Sequence, residues 1–349
     1  MTFHDRFQSF VRLGMALRAF GLGERSGETA ILEEAADTAG QVNPWFTPFM
    51  IRAALLSLGE MLQEDRLADW LAPYAGRLGT VRNSRTVGVV MAGNIPAVGF
   101  HDFLCVLLAG HRLLAKVSAS DAHLLPAMAA ILADADPRWI GRYGFTDSRL
   151  ARFDAVIATG NNNTAQHMAR YFGKYPHIIR GHRNGVAVLT GGETSEELRG
   201  LASDILLYFG MGCRNVSKIY LPKDYNLSVL AAAFAGYGEL SDHHRYRNNL
   251  DYNRSLLLVG RVPFFDAGVV LLVENPAIDS PVGVVHTETY GNLSSVITAL
   301  TGMSEGIQCV VARDGSFPGA IPFGRSQKPG PGDYADGTDT MEFLLGLPE

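Results

Sequence analysis

Along residues 1–80, apolar residues such as Phe7, Phe10, Val11, Leu13, Met15 and Leu17 recur at mixed spacings, and from Ile51 to Leu71 the three-to-four residue period is clearer. That pattern predicts an N-terminal helical region. Residues Asn43 to Pro48 open its second stretch, where Trp45 is expected to pack as a hydrophobic staple rather than to contact a ligand. From Thr86 the pattern changes to short β-branched runs alternating with helical runs, the mark of a parallel sheet with crossover helices. Strands are expected at Thr86–Met91, Arg112–Val117, Phe153–Ala158, Gly185–Leu189 and Lys218–Pro222, then at Ser255–Val259, Val269–Val273, Gly283–Val285 and Gln308–Ala312. Helices are expected to follow Pro96 as far as Gly110, to follow Thr164 as far as Phe172, and to run from Ser228 to Gly236. Residues Ile321 to Gly337, rich in glycine and proline, are expected to be loop, either functional or at an interface.

Composition changes this picture by exclusion. The 349 residues are 47% hydrophobic and 19% charged with a formal net charge of -5, so the basic excess that a nucleic-acid partner would need is missing. Three cysteines, Cys105, Cys213 and Cys309, lie far apart with no metal-ligand spacing, which argues against a disulfide framework or a zinc site. The adjacent His243 and His244 do not share a helix face and do not suggest a metal. The first residues carry no apolar signal core, and the most hydrophobic stretch, residues 87–117, is broken by Asn94, Pro96, His101, Asp102 and His111. A cytoplasmic protein without a membrane span is the expectation.

Candidate chemistry gathers at loops. In parallel sheets ligands collect where strands end and helices begin, which directs attention to Gly93 and Asn94 after the first strand and to Thr159 and Gly160 after the third. No GxGxxG follows the first strand, and Gly160 with its three asparagines reads either as a pyrophosphate cradle or as an ordinary polar loop. Lys116, at the end of an apolar strand, either snorkels to solvent or bonds a ribose or phosphate. Cys213 sits in a glycine turn between an apolar run and a β-branched run, and by itself reads either as a displayed nucleophile or as a small core residue. Cys105 and Cys309 read as packing.

The order of these motifs resembles the aldehyde dehydrogenase superfamily and, within it, the acyl-CoA reductase family that includes the fatty-acid reductase of bacterial bioluminescence. Gly93-Asn94-Ile95-Pro96 is similar to the superfamily's aromatic-Asn-x-Pro turn, Ala115 to Ser118 to its Lys-Pro-Ser strand end, and Ala158-Thr159-Gly160 to its Thr-Gly-Ser loop. Gly212-Cys213 with Ser217-Lys218 resembles the nucleophile segment, and Glu288 to Val296 the Glu-x-Phe-Gly-Pro segment. The likeness covers most of residues 80–330 and, through Asp333 to Gly337, extends into the tail.

The resemblance implies an α/β fold with two Rossmann-like parallel-sheet domains and an N-terminal helical region. It divides the chain into residues 1–80, a nicotinamide-dinucleotide domain at 81–208, a catalytic domain at 209–320, and a tail at 321–349 placed at a dimer interface. It implies that Cys213 is the nucleophile and that the Asn94 side-chain amide and the Cys213 N–H form the oxyanion hole, a donor of that kind being worth about 10²–10³ in rate. Lys116 would hold the adenosine ribose, Thr159, Gly160 and Asn161 would meet the pyrophosphate, and Glu288 would hold the nicotinamide ribose. The implied cofactor is NADPH or NADH, the substrate an acyl-CoA or other acyl thioester with CoA leaving, and the implied partners an acyl-activating enzyme and a second copy of the chain. No metal is implied.

Two departures refine the expectation. Where aldehyde-oxidising members carry a Glu-Leu-Gly-Gly segment that activates water, this chain has Arg180 to Leu189 with no carboxylate, which favours release to CoA over hydrolysis and leaves His182 as the one alternative base. Three residues after Lys116, where NAD-preferring members often place a glutamate, this chain has Ala119, which admits a 2′-phosphate, although Asp121 is near. Arg180, His182 and Arg183 form a basic cluster that suits CoA phosphates or a solvated turn, and Arg214 either lowers the thiol pKa or lies on the surface. The rival readings are a CoA-independent aldehyde dehydrogenase and a catalytically weak subunit of a multienzyme complex.

Overall fold

The structure is a computed structural model, and it describes residues 1–79 and 83–348. Those residues form two compact units: Met1–His182 with Lys328–Glu349, and Arg183–Gln327. The expected boundary at 80/81 lies outside the described residues.

The first unit opens with five helices, α1 (Phe3–Leu22), α2 (Gly27–Val42), α3 (Pro48–Met61), α4 (Glu64–Leu71) and the short α5 (Ala75–Leu78). Their starts follow from local chemistry. Thr2 and Ser26 cap α1 and α2 through reciprocal bonds with Asp5 and Thr29, and Thr47 caps α3 with Pro48 at its first position, where no backbone donor is needed. Trp45 packs against the core, the role expected of it. The sheet strands are β1 (Thr86–Val90), β2 (Arg112–Lys116), β3 (Tyr143–Thr146), β4 (Ala155–Thr159) and β5 (His177–Arg180), all parallel, in the order β3-β2-β1-β4-β5. Helices α6 (Phe100–Leu108), α7 (Leu124–Ala135) and α8 (Asn162–Phe172) make the crossovers. Val87, Val89, Ala115 and Ile157 are fully buried in a core shared with the N-terminal helices and α6. Strand order reverses between β1 and β4, so the loops after those two strands flank a topological switch point, where open parallel sheets bind ligands.

The second unit carries β6 (Asn184–Val188), α9 (Ser195–Leu206), β7 (Val216–Pro222), α10 (Leu227–Phe234), α11 (His244–Val259), β8 (Phe265–Asp266), β9 (Leu271–Glu274), β10 (Val284–Tyr290), α12 (Leu293–Gly302) and β11 (Ile307–Ala312). Its sheet order is β11-β6-β7-β10-β9-β8, parallel except for the antiparallel edge strand β8. Because β6 pairs with β7 and β11, the units divide at 182/183, whereas the sequence reading put a boundary at 208/209. Residues 255–259, expected as a strand, are the last turns of α11. That helix is started by His243, whose ring accepts from the Tyr246 N–H, and it buries Tyr246, Leu250 and Asn253 while leaving Leu256, Leu258 and Val259 exposed. A short apolar run suits either period, and here the helix already under way decides.

From Lys328 the tail belongs to the first unit. It holds a helix, α13 (Thr340–Leu345), just beyond the segment read as loop, for which no element was expected; Thr340, Met341 and Leu344 are buried there. The Tyr334 hydroxyl meets the Trp70 indole N–H at 2.9 Å and the Tyr74 hydroxyl at 3.0 Å, and Tyr74 bonds Asp339. These bonds fasten the segment around Tyr334 and Asp339 to the N-terminal helical region. Among the described residues no helix is long and apolar enough to cross a membrane.

Candidate active site

In the first unit the residues singled out from sequence lie at or just after the C-terminal ends of β1, β2 and β4. Lys116 ends β2, half-buried, in register with Val90 of β1. The loop after β1 carries Gly93 and the exposed Asn94, and it is clamped by the turn after β2. A Cβ on Gly93 would fall 2.5 Å from Ser118, so only glycine lets the loop lie this close. On its other side Ala97, held at φ 55°, donates its N–H to Asp121 Oδ2 at 2.7 Å. Asp121 is 3% exposed, Oδ1 has no hydrogen-bond partner, and burial pushes its pKa up to about 7. The carboxylate that looked close to the coenzyme is turned into the fold as a brace for the Asn94 loop.

Beyond β4, Thr159 is half-buried at the strand end and the Gly160 N–H donates to the Arg180 carbonyl at 3.1 Å. A Cβ at Gly160 would press on Thr164 at 3.0 Å, so the glycine lets the chain pass tightly into α8. Asn161 is the N-cap of α8: its Oδ1 accepts from the Thr164 N–H at 2.8 Å, so this acceptor serves the helix, not a ligand. Asn162 accepts from the His182 N–H at 2.9 Å.

Of the basic residues 180–183, Arg180 does not belong to a surface cluster, whereas Arg183 is half-buried. Arg180 is 3% exposed and bonds both Asp102 oxygens at 2.8 Å and Thr340 Oγ1 at 2.8 Å, joining β5, α6 and α13. It shares the inward face of β5 with Ile178, which the alternation of strand side chains explains. His182 remains exposed.

In the second unit Cys213 is a half-buried thiol outside any disulfide, whereas Cys105 and Cys309 are buried, as expected for packing. It lies in a turn between α9 and β7. The chain leaves α9 through Tyr208, Phe209 and Gly210 at φ 54°, 56° and 75°, three successive left-handed residues of which only the last is a glycine. Phe209 stacks on His243 at 4.6 Å and Tyr246 at 5.5 Å. Asn215, 2% exposed, accepts from the Gly212 N–H at 2.8 Å and donates to the carbonyls of Asp204, Ile205 and Leu207 at 3.0, 3.2 and 2.8 Å. Asp204, 1% exposed with its pKa raised by burial to about 6, accepts from the N–H groups of Gly324 and Ser326 and from the Ser326 hydroxyl. The sequence reading missed Asn215, Asp204 and the bracing role of Asp121. Only the asparagine three residues after Gly212 hinted at a side chain closing a turn.

Glu288 stands toward the end of β10, beside Tyr220 of β7. Its carboxylate, 43% exposed, meets Lys218 Nζ at 2.6 Å; Lys218 is fully buried, also donates to the Asn275 carbonyl at 2.6 Å, and lies 5.1 Å from the Tyr220 ring centre. A half-exposed carboxylate anchored from below has one orientation and an outward edge. The structure therefore places Asn94, Lys116, Thr159, Gly160 and Asn161 at or after the ends of neighbouring strands of the first unit, and Cys213 and Glu288 on a turn and a strand of the second.

A profile of the acyl-CoA reductase (LuxC) family matches residues 60–236, more than half of the 349-residue chain. The chain belongs to that family. Among solved structures, its fold is similar to those of aldehyde dehydrogenases. The P. syringae indole-3-acetaldehyde dehydrogenase in complex with NAD⁺ and IAA matches with a TM-score of 0.63 at 11% identity, covering 94% of this chain and 75% of that one. The Bacillus cereus aldehyde dehydrogenase in its NAD⁺ complex gives 0.60 at 13% identity, over 89% and 72%. The Mycobacterium tuberculosis aldehyde dehydrogenase complexed with NAD⁺ gives 0.55 at 12%, over 87% and 73%. No curated protein sequence matches the chain. As an acyl-CoA reductase family member with this fold, the chain is an oxidoreductase acting on acyl or aldehyde substrates. Among the described residues no cluster of side chains could hold a metal ion.

Proposed function

We propose that this family member reduces an acyl thioester to an aldehyde, with Cys213 as the nucleophile. The observation that carries the reading is a half-buried thiol on a braced turn in a chain of the acyl-CoA reductase family. The Cys213 thiolate attacks the thioester carbonyl carbon. A new C–S bond forms, the bond to CoA breaks, and CoA leaves as a thiolate that takes a proton from water. The Asn94 amide donates to the oxygen as it becomes an alkoxide, first in acylation and again in the thiohemiacetal formed on Cys213. Collapse of that thiohemiacetal returns the cysteine and releases the aldehyde.

A nicotinamide dinucleotide, when bound, supplies the hydride. The residues at the strand ends of the first sheet fit such a group: the Lys116 ammonium suits the adenosine ribose, and the glycine approach at Gly160 with the start of α8 suits a diphosphate. The solved neighbours hold NAD⁺ and share the fold, which supports the assignment. Glu288, anchored by Lys218, is assigned to the nicotinamide ribose. Ala119 with the inward-turned Asp121 leaves room for a 2′-phosphate, which supports NADPH as well as NADH. The stretch from Arg180 to Leu189 has no carboxylate to activate water, so the acyl enzyme persists until it is reduced or returned to CoA. An acyl-activating enzyme is the natural source of the thioester, and a homodimer is the expected assembly.

Mass spectrometry of the protein mixed with octanoyl-CoA and no reductant tests the proposal. The expected result is an acyl adduct on Cys213, absent in Cys213→Ser, that disappears as aldehyde forms on adding NADPH. Free acid formed from aldehyde and NAD⁺ without CoA would show a CoA-independent dehydrogenase. A protein that forms no adduct and turns over no coenzyme would be a non-catalytic subunit.

A further inference from the structure

We infer that Asn215 is a positioning residue for the nucleophile: its buried carboxamide fixes the four-residue turn Gly212–Asn215 on which Cys213 sits. The inference rests on reading Cys213 as the nucleophile. The turn is tied twice, by the Asn215 N–H to the Gly212 carbonyl at 3.0 Å and by the Gly212 N–H to Asn215 Oδ1 at 2.8 Å. Cys213 and Arg214 are therefore the two central residues of a closed β-turn. The carboxamide nitrogen then spans three carbonyls at the C-terminal end of α9, those of Asp204, Ile205 and Leu207, where a helix has acceptors without internal donors. The segment between, Tyr208 to Gly210, is left-handed throughout, a conformation that bulky residues keep only when their surroundings over-determine it. One planar group joins the helix end to the cysteine turn across that strained link.

The residue type is specific. An amide presents an acceptor and two donors in one plane. An aspartate has at most one donor, and only when protonated, to set against three carbonyl oxygens, and a serine reaches only one side. Both substitutions leave Cys213 in place and loosen what holds it. A reacting atom displaced by about 1 Å loses rate on the order of 10²-fold without any change in its intrinsic chemistry, which separates a positioning role from one that only stabilises the fold.

The test compares wild-type protein with Asn215→Asp and Asn215→Ser by two reactions at Cys213. Alkylation by iodoacetamide asks only for a reachable thiol, whereas acylation by octanoyl-CoA asks for a thiol aligned with its oxyanion donors. Acylation is expected to fall about 100-fold in both variants while alkylation by iodoacetamide stays within about threefold for Asn215→Ser. Variants that are less stable yet acylate within about threefold of wild type overturn the inference and leave the nucleophile in place. Wild-type protein that alkylates at Cys213 but takes no acyl group overturns both. Hydrogen exchange of the wild type gives a reading that needs no variant: the Gly212 amide is expected to exchange at least about 100-fold more slowly than an exposed turn amide, and exchange at the exposed rate refutes the clamp.

Discussion

Replacing Asp121 by asparagine should alter the pH dependence of stability in a direction fixed by where that carboxyl sits. Its Oδ2 accepts from the Ala97 N–H at 2.7 Å, its Oδ1 is buried without a hydrogen-bond partner, and its pKa is pushed from an ordinary 3.8 up to about 7. The folded chain therefore keeps a proton that the unfolded chain has already released above about pH 4. Stability from this group is fully present below the unfolded pKa and declines as pH rises toward the folded value, levelling off above it. A shift of that size corresponds to about 4 kcal/mol in full, of which about 2.5 kcal/mol is lost between about pH 5 and about pH 8. The carboxamide introduced by Asp121→Asn cannot ionise, and its oxygen can still accept from the Ala97 N–H. Whatever constant cost that amide adds, the variant's stability relative to wild type should improve by about 2.5 kcal/mol from about pH 5 to about pH 8. Urea unfolding of both proteins at half-unit pH steps measures this. A difference that stays flat with pH would refute the reasoning, because it would mean the carboxyl ionises in the folded protein as it does in the unfolded one.

Three further outcomes follow from other contacts. Arg180→Met or Asp102→Leu alone should cost about 3–5 kcal/mol by leaving the other charge buried and unpaired, and the double variant should recover most of that loss in a denaturation cycle. Lys218→Met should release the Glu288 carboxylate from its anchor and raise KM for the coenzyme about tenfold with kcat within about twofold, matching Glu288→Gln; a double variant whose losses simply add would show that the pair does not act as a unit. His182→Asn should leave hydrolysis of the acyl enzyme within about twofold of wild type, since the residue is exposed and its backbone N–H, which the substitution keeps, is what ties it to Asn162. Hydrolysis slowed about tenfold would identify His182 as a base after all.

What the sequence displayed and what it hid separate on physical grounds. Strands β1, β2, β4, β6 and β7 were legible as β-branched or apolar runs because both faces of a central parallel strand are covered. Edge strand β3, half-buried along its whole length, and β5 lacked that signal and form because a neighbour offers them a ladder. Arg180 looked like one of three surface cations until its place on β5 set it opposite Asp102, a partner 78 residues away. Asp121, Asn215 and Asp204 were hidden for another reason: many of the groups they bond are backbone N–H and carbonyl groups, which every residue has and no letter of the sequence marks. Ala97 is 24 residues from Asp121, and Ser326 is 122 from Asp204. Residues such as Cys213 and Lys116 were legible because their types stand in the order of the motifs that the sequence resembles. The side chains that hold those loops still are constrained only by the shape of the chain beneath them. Their buried, backbone-directed bonds make the loops rigid, and that is why the residues first seen as chemistry depend on residues that looked like none.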